Sequence, residues 1–182
     1  ARTELKRAFD YLESLASGYI DDARSEIPPL EEREAVHGVE SVSAPLIAGT
    51  LDRMFRPEAE AKGLALTVRA VDETFRAQPL AIMRVLSNLL SNAISHTTAG
   101  SVSLTVTGEP ASIRFTVANT GKSLSPEEID GLLEPYRKGD GSAGEGLGLA
   151  IVNQLTAASG FALGFEHRDG ENRFVLDVPR DA

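Results

Sequence analysis

Apolar residues along this chain recur at two periods, and the two alternate along its length. Leu5, Phe9, Leu12, Ala16, Tyr19 and Ala23 step by four and three, a heptad stripe that predicts a helix over residues 2–27 and asks for a partner helix. Pro28 and Pro29 end it. Residues 30–43 are acidic and irregular and read as a linker. Residues 44–63 read as a second helix, with Ser43 before it, Gly63 after it and Pro57 interrupting or bending it. "LALTVRA" alternates as a strand does, and "ETFRA" is placed as its pairing partner. Residues 78–95 return to the helical period through Leu86, Leu89, Leu90, Ala93 and Ile94.

"GSVSLTVTG" and "ASIRFTVAN" follow as two strands joined around Gly108, Glu109 and Pro110. A short helix is expected over residues 125–133, with Ser125 as cap and Pro126 in the first position. A glycine-rich tract covers residues 139–148, and a helix over residues 147–159 ends at Gly160. "FALGFEH" and "RFVLDV" close the chain as strands. Helices and strands mix without strict alternation. The expected class is α+β: a two-layer sandwich of a mixed β-sheet covered on one face by helices, preceded by an N-terminal helix.

Composition removes several classes of function. The chain has 182 residues, 42% of them apolar, and a net charge of -9. That acidity disfavours binding to nucleic acid. There is no cysteine, so disulfides, thiol catalysis and thiolate metal sites are excluded. The three histidines form no evident metal cluster. No apolar run approaches the roughly 18 residues of a membrane span, and no signal peptide is apparent. The first residue is Ala1 rather than Met, which reads as a piece of a longer protein.

Three features carry candidate chemistry. Asn88 and Asn92, four apart, stack two amides on one face of a helix, although asparagine is a mediocre helix former. A helix-borne amide oxygen suits a hard cation such as Mg²⁺, which takes few protein ligands and completes its shell with phosphate oxygens and water; a polar helix edge is the plainer alternative. Asn119 ends a strand beside Gly121, a common place for a ligand contact and equally for an Asn-Gly-type turn. The tract "KGDGSAGEGLGLAIV" runs from glycines into a helix, presenting backbone N–H groups and a dipole end to a phosphate. It lacks the Lys-Ser/Thr of a Walker loop and the leading strand of a Rossmann turn.

Taken in order, "NLLSNA", "NTG", "LLEPYRKGD", "GEGLGLAIV" and "DGENRFVLDVP" resemble the catalytic ATP-binding domain of sensor histidine kinases. That family lies in the GHKL superfamily of the Bergerat fold, with type II topoisomerases, Hsp90 and MutL. The resemblance spans residues 43–179 and implies two units. Residues 1–42 would hold the second helix of the dimerisation and histidine-phosphotransfer hairpin plus a linker, and residues 43–182 the catalytic domain.

Carried over by position, the resemblance implies ATP and Mg²⁺ as cofactors, with Asn92 as the Mg²⁺ ligand. Asn88 stands where the ATP-hydrolysing relatives carry a Glu that activates water, and an amide cannot do so. Gly144, Gly146, Leu147 and Gly148 would line the phosphates, and residues 124–145 would form a lid. Lys138 would reach the phosphates as a catalytic cation, beside Leu132, Leu133 and Tyr136 at the family's F-box. Asn119, Gly121 and Lys122 fall on the base-binding "D-x-G-x-G", which departs here by Asn119 for Asp and Ser123 for Gly. Asn119 keeps an acceptor oxygen, loses the charge and adds a donor. Adenine is the expected base, while a flipped amide would address a guanine carbonyl. Ser95 replaces a common cation, and His96 is expected to pack first and touch ligand second. Gln78 replaces an Asp before Pro79 as a cap change.

None of His37, His96 or His167 sits in the family's phosphoacceptor motif, so the chain alone is not expected to autophosphorylate. The implied partners are a phosphoacceptor histidine domain and a cognate response regulator, with homodimerisation in the full-length protein and a cytoplasmic location. The alternative from another class is a degenerate nucleotide-binding or interaction module, motivated by Asn119, Ser123 and Ser95. A GHKL ATPase is disfavoured by the missing Glu at position 88.

Overall fold

The computed structural model describes residues 38–124, 128–129 and 148–180. The expected first helix, the short helix over residues 125–133 apart from Glu128 and Ile129, and most of the glycine-rich tract lie outside them. The described elements run β1 (Glu40–Ser43), α1 (Ala44–Ala61), β2 (Ala65–Ala70), β3 (Thr74–Ala77), α2 (Pro79–His96), β4 (Ser101–Gly108), β5 (Ser112–Thr120), α3 (Gly148–Ala158), β6 (Ala162–Arg168) and β7 (Glu171–Pro179).

The main sheet has five strands in the order β2-β4-β5-β7-β6. β2 and β4 are parallel, with Leu66 opposite Val102. The other pairings are antiparallel, so the sheet is mixed as expected. Alternation decides its faces. Val102, Leu104 and Val106 of β4, Ile113, Phe115 and Val117 of β5, and Phe174, Leu176 and Val178 of β7 are buried. They meet Ile82, Leu86, Leu89, Leu90 and Ile94 of α2 and Ile47, Leu51 and Phe55 of α1 in one core. Phe165 and Phe174 pack edge-tilted at 5.1 Å across β6 and β7. The opposite face is polar and pinned by cross-strand ion pairs. Arg114 faces Asp177 in register and donates to both its carboxylate oxygens, at 2.8 and 3.0 Å.

Two expectations are corrected. Glu40–Ser43 is a strand rather than the irregular end of a linker, and Thr74–Ala77 pairs with it rather than with β2. The reason lies in the connection. Val71 N–H carries the β2-β4 ladder one residue further, to Val106 O, and Phe75 and Ala77 are buried in the core, so the chain turns inward after β2 rather than folding back along its outer edge. The ribbon β1-β3 is then fastened to the main body: Phe75 packs on Phe115 at 6.2 Å, and Arg180 donates to Glu73 at 2.8 Å. Pro57 neither breaks nor ends α1, which runs on to Ala61. Gly63, at φ 70°, closes it in the left-handed conformation, and Leu64 N–H returns to Ala59 O. Among the described residues, no helix is long and apolar enough to cross a membrane.

Candidate functional site

α2 carries the two asparagines on its rim. Its buried stripe, from Pro79 through Ile82, Leu86, Leu89 and Ala93 to Ile94, fixes the helix against the sheet. Asn88 and Asn92 then fall at half-buried positions beside that stripe. They are not equivalent. Asn88 Nδ2 donates at 2.8 Å to Arg84 O, one turn back, so its amide is folded onto its own helix. The Asn92 side chain makes no hydrogen bond to any described residue; beyond the helix ladder, its backbone oxygen accepts from Ser95 Oγ at 3.1 Å. An unengaged, half-buried amide is a usable oxygen ligand for a hard cation. Among the described residues no three His, Asp or Glu side chains converge, so such a cation would need most of its shell from phosphate and water.

The two ends of α2 are fastened by side chains. At its start Gln78, expected only as a changed cap, makes no side-chain cap bond and instead accepts from Ser159 Oγ at 3.3 Å, tying α2 to the end of α3. At its end Lys62 Nζ donates to the carbonyls of Ile94 (2.7 Å) and Ser95 (3.0 Å), a cation seated on the negative end of the helix. His96 lies exposed on this last turn rather than packed first as expected. Its pKa is lowered from 6.5, chiefly by partial desolvation of the ring and secondly by repulsion from Lys62.

A polar row crosses the inner face of the sheet where the apolar rows end. Asn119, Asn172 and His167 lie opposite one another on β5, β7 and β6, and Val102 of β4 flanks Asn119 on the other side. Asn119 and Asn172 are 8% and 6% exposed, too buried for chance surface amides, and both are hydrogen-bonded. Asn119 Nδ2 donates to Thr97 Oγ1 at 3.1 Å and to Thr120 O at 3.2 Å. Thr97, buried just after α2, donates its own hydroxyl proton to Ala93 O at 2.6 Å. Asn172 Nδ2 donates to Lys122 O at 3.0 Å, so its Oδ1 is the acceptor for His167 Nδ1–H at 2.9 Å. Gly121 sits between the two amides: a Cβ there would lie 3.6 Å from each Nδ2. Its N–H reaches Gly170 O at 3.4 Å. Gly121 and Lys122 are exposed.

The turn beneath this row needs glycine. Gly100 has φ 115°, and a Cβ on it would fall 2.1 Å from Thr120 Oγ1. That hydroxyl accepts from Ser101 N–H at 3.1 Å and donates to Ala99 O at 3.2 Å.

The structure therefore draws together Asn119, Gly121 and Lys122, and links them through Thr97 to the helix of Asn88, Asn92 and His96. Gly148 begins α3, with Leu149 and Val152 buried behind it. Lys138, Gly144, Gly146 and Leu147 lie outside the described residues. Sequence reading missed Thr97, Asn172 and Lys62, and took His167 only as a failed phosphoacceptor. Asn172 left a signal. It occupies an inward position of an otherwise apolar alternation with Phe174, Leu176 and Val178.

A mixed sheet under a layer of helices, with asparagines on a helix rim and a buried polar row at the strand ends, defines a nucleotide-site fold of the GHKL type. Residues 77–182 match the family described as histidine kinase-, DNA gyrase B- and HSP90-like ATPase. The chain belongs to that family.

Among curated proteins it is 38% identical over 125 residues to the virulence sensor protein BvgS of Bordetella parapertussis, covering 61% of this chain and 10% of that one. It is 32% identical over 142 residues to the autoinducer 2 sensor kinase/phosphatase LuxQ of Vibrio cholerae, covering 71% and 17%. The chain thus spans a small part of these relatives' lengths. Among solved structures, the catalytic domain of histidine kinase ThkA matches with TM-score 0.70 at 20% identity, over 79% of this chain and 98% of that one. Full-length ShkA in complex with AMPPNP matches with TM-score 0.70 at 28% identity, over 99% and 39%. These relatives give no support to the alternative of a degenerate interaction module.

Proposed function

We propose that this chain binds ATP with Mg²⁺ and supplies the γ-phosphoryl group to a histidine on an acceptor domain, within a two-component sensor kinase. The observation that carries the reading is the bond between Asn119 and Thr97. It joins the strand end that would border a base to the last turn of the helix that carries the unengaged Asn92 amide. Asn119 would accept from the exocyclic amine of adenine, and Gly121 and Lys122 would border the base. Asn92 would hold the Mg²⁺, which when bound neutralises phosphate charge. Gly144, Gly146, Leu147 and Gly148 would contact the phosphates through backbone N–H groups at the start of α3. Lys138 would add a positive charge at the transferred group.

Asn88 completes the chemistry by what it cannot do. An amide does not take a proton from water at neutral pH, and this one is tied to Arg84 O. The phosphoryl group is thereby spared for a side-chain nucleophile. Catalysis then rests on positioning and charge neutralisation. His96, whose lowered pKa favours the neutral ring, would border the site without adding charge.

Residues 1–42 are proposed as hairpin helix and linker, the remainder as the catalytic domain. The proposed partners are a phosphoacceptor histidine domain and a response regulator, with dimerisation through the full-length protein and a cytoplasmic site of action.

The test is calorimetric titration of the chain with ADP and a non-hydrolysable ATP analogue, with and without Mg²⁺, and with the guanine counterparts. Micromolar-range, Mg²⁺-dependent adenine binding is expected. No binding at millimolar nucleotide would overturn the reading.

A further inference from the structure

Proton counting at Asn119 carries an inference about base choice. An asparagine amide has an accepting end and a donating end, and rotating it by half a turn exchanges them. Which end faces a ligand is set by what holds the other. The Asn119 Nδ2 group has two neighbours, Thr97 Oγ1 at 3.1 Å and Thr120 O at 3.2 Å. Thr120 O is a carbonyl and only accepts. Thr97 Oγ1 could in principle donate, but its single proton is spent on Ala93 O at 2.6 Å. That carbonyl lies in the last turn of α2, where helix carbonyls lack partners of their own. Both neighbours of Asn119 therefore demand a donor. A flipped amide would set Oδ1 against two lone pairs inside a site where Thr97 is 1% exposed.

We propose that Thr97 is a positioning residue for base selection: through its hydroxyl it holds the Asn119 amide with Oδ1 outward, the orientation that accepts from a 6-amino purine and rejects a 6-oxo purine. The proposal rests on the nucleotide-site reading above. It also explains how an asparagine serves where a carboxylate is usual. A carboxylate has no wrong orientation, whereas an asparagine needs a neighbour whose proton is already committed. The amine of adenine meets an acceptor, while the carbonyl of guanine meets the same acceptor and is repelled.

The experiment measures dissociation constants of ADP and GDP, each with Mg²⁺, for the 182-residue chain and its variants. The unsubstituted chain is expected to prefer ADP. Thr97→Val keeps the shape and removes the hydroxyl, so one of the two acceptors that lock the amide is lost. The ADP preference should fall about fivefold to tenfold, the worth of one hydrogen bond. Thr97→Ser restores the hydroxyl and should restore the preference.

Asn119→Asp separates orientation from general damage. In that background Thr97→Val should leave the preference for ADP unchanged, because a carboxylate has nothing to flip. An equal fall in both backgrounds would overturn the proposal, as would an undiminished preference in Thr97→Val alone. Binding of neither nucleotide by the unsubstituted chain would overturn the nucleotide-site reading and this proposal with it. If the valine variant does not fold, the Asn119 side-chain NH₂ resonances of the unsubstituted chain decide. Two slowly exchanging protons support the lock, and rapid exchange overturns it.

Discussion

At the scale of single residues, the candidate site is a set of amides distinguished by their partners. Asn88 is folded back on Arg84 O, Asn119 and Asn172 are held at their donor ends, and Asn92 alone of the four has a side chain with no hydrogen bond among the described residues. Asn92→Ala should therefore abolish Mg²⁺-dependent nucleotide binding with little change in thermal stability. Calorimetry with and without Mg²⁺, beside a melting curve, checks both halves. His96 offers a second prediction. Its folded pKa lies below 6.5, so between the two values the unfolded chain binds more protons. Stability should accordingly rise with pH across the window just below 6.5 and be lost as pH falls through it; His96→Gln should flatten that slope in urea titrations. Lys62→Met should raise the His96 pKa only partway, read by nuclear resonance titration, because partial desolvation of the ring is the larger cause.

The elements were largely legible in the sequence where periodicity was long. α2, β4, β5 and the closing hairpin β6-β7 fall close to where alternation and helical spacing place them. What failed was pairing. The short strand Thr74–Ala77 has four residues and no turn signal that names its neighbour, and its partner Glu40–Ser43 sits in a stretch whose charge hides it. A parallel β2 could not be told from an antiparallel one, since alternation is the same for both. Within the candidate site, spacing and motif order single out Asn92 and Asn119. They do not single out Thr97, because its role is created by a contact across 22 residues that no local pattern encodes. The turn before β4 carries its own prediction. Gly100→Ala must place a methyl group against Thr120 at φ 115°, and should cost about 2 kcal/mol or more in urea unfolding. A loss within a few tenths would mean the turn can relax around the added carbon.

For the whole molecule, one core joins the helical layer to the sheet, so nucleotide binding should register as global stabilisation. At about a hundred times its dissociation constant, a ligand specific to the folded state adds roughly 2.7 kcal/mol. ADP with Mg²⁺ should raise the melting temperature and GDP should do so far less. With ATP alone the chain should show no appreciable steady-state hydrolysis, whereas an added phosphoacceptor domain should become labelled from γ-labelled ATP. Sustained release of inorganic phosphate would place it with the hydrolysing relatives, against the amide at position 88.

The central position of β5 has one more consequence. It is paired along its length to β4 on one side and β7 on the other, and Asn119 stands near its end between both neighbours. Backbone amides in such a strand exchange with heavy water only when the molecule opens as a whole. A deuterium footprint of nucleotide binding would consequently be faint at the strand bearing Asn119 and clear on the last turn of α2. A quiet trace at β5 would reflect a floor that was already closed before the ligand arrived.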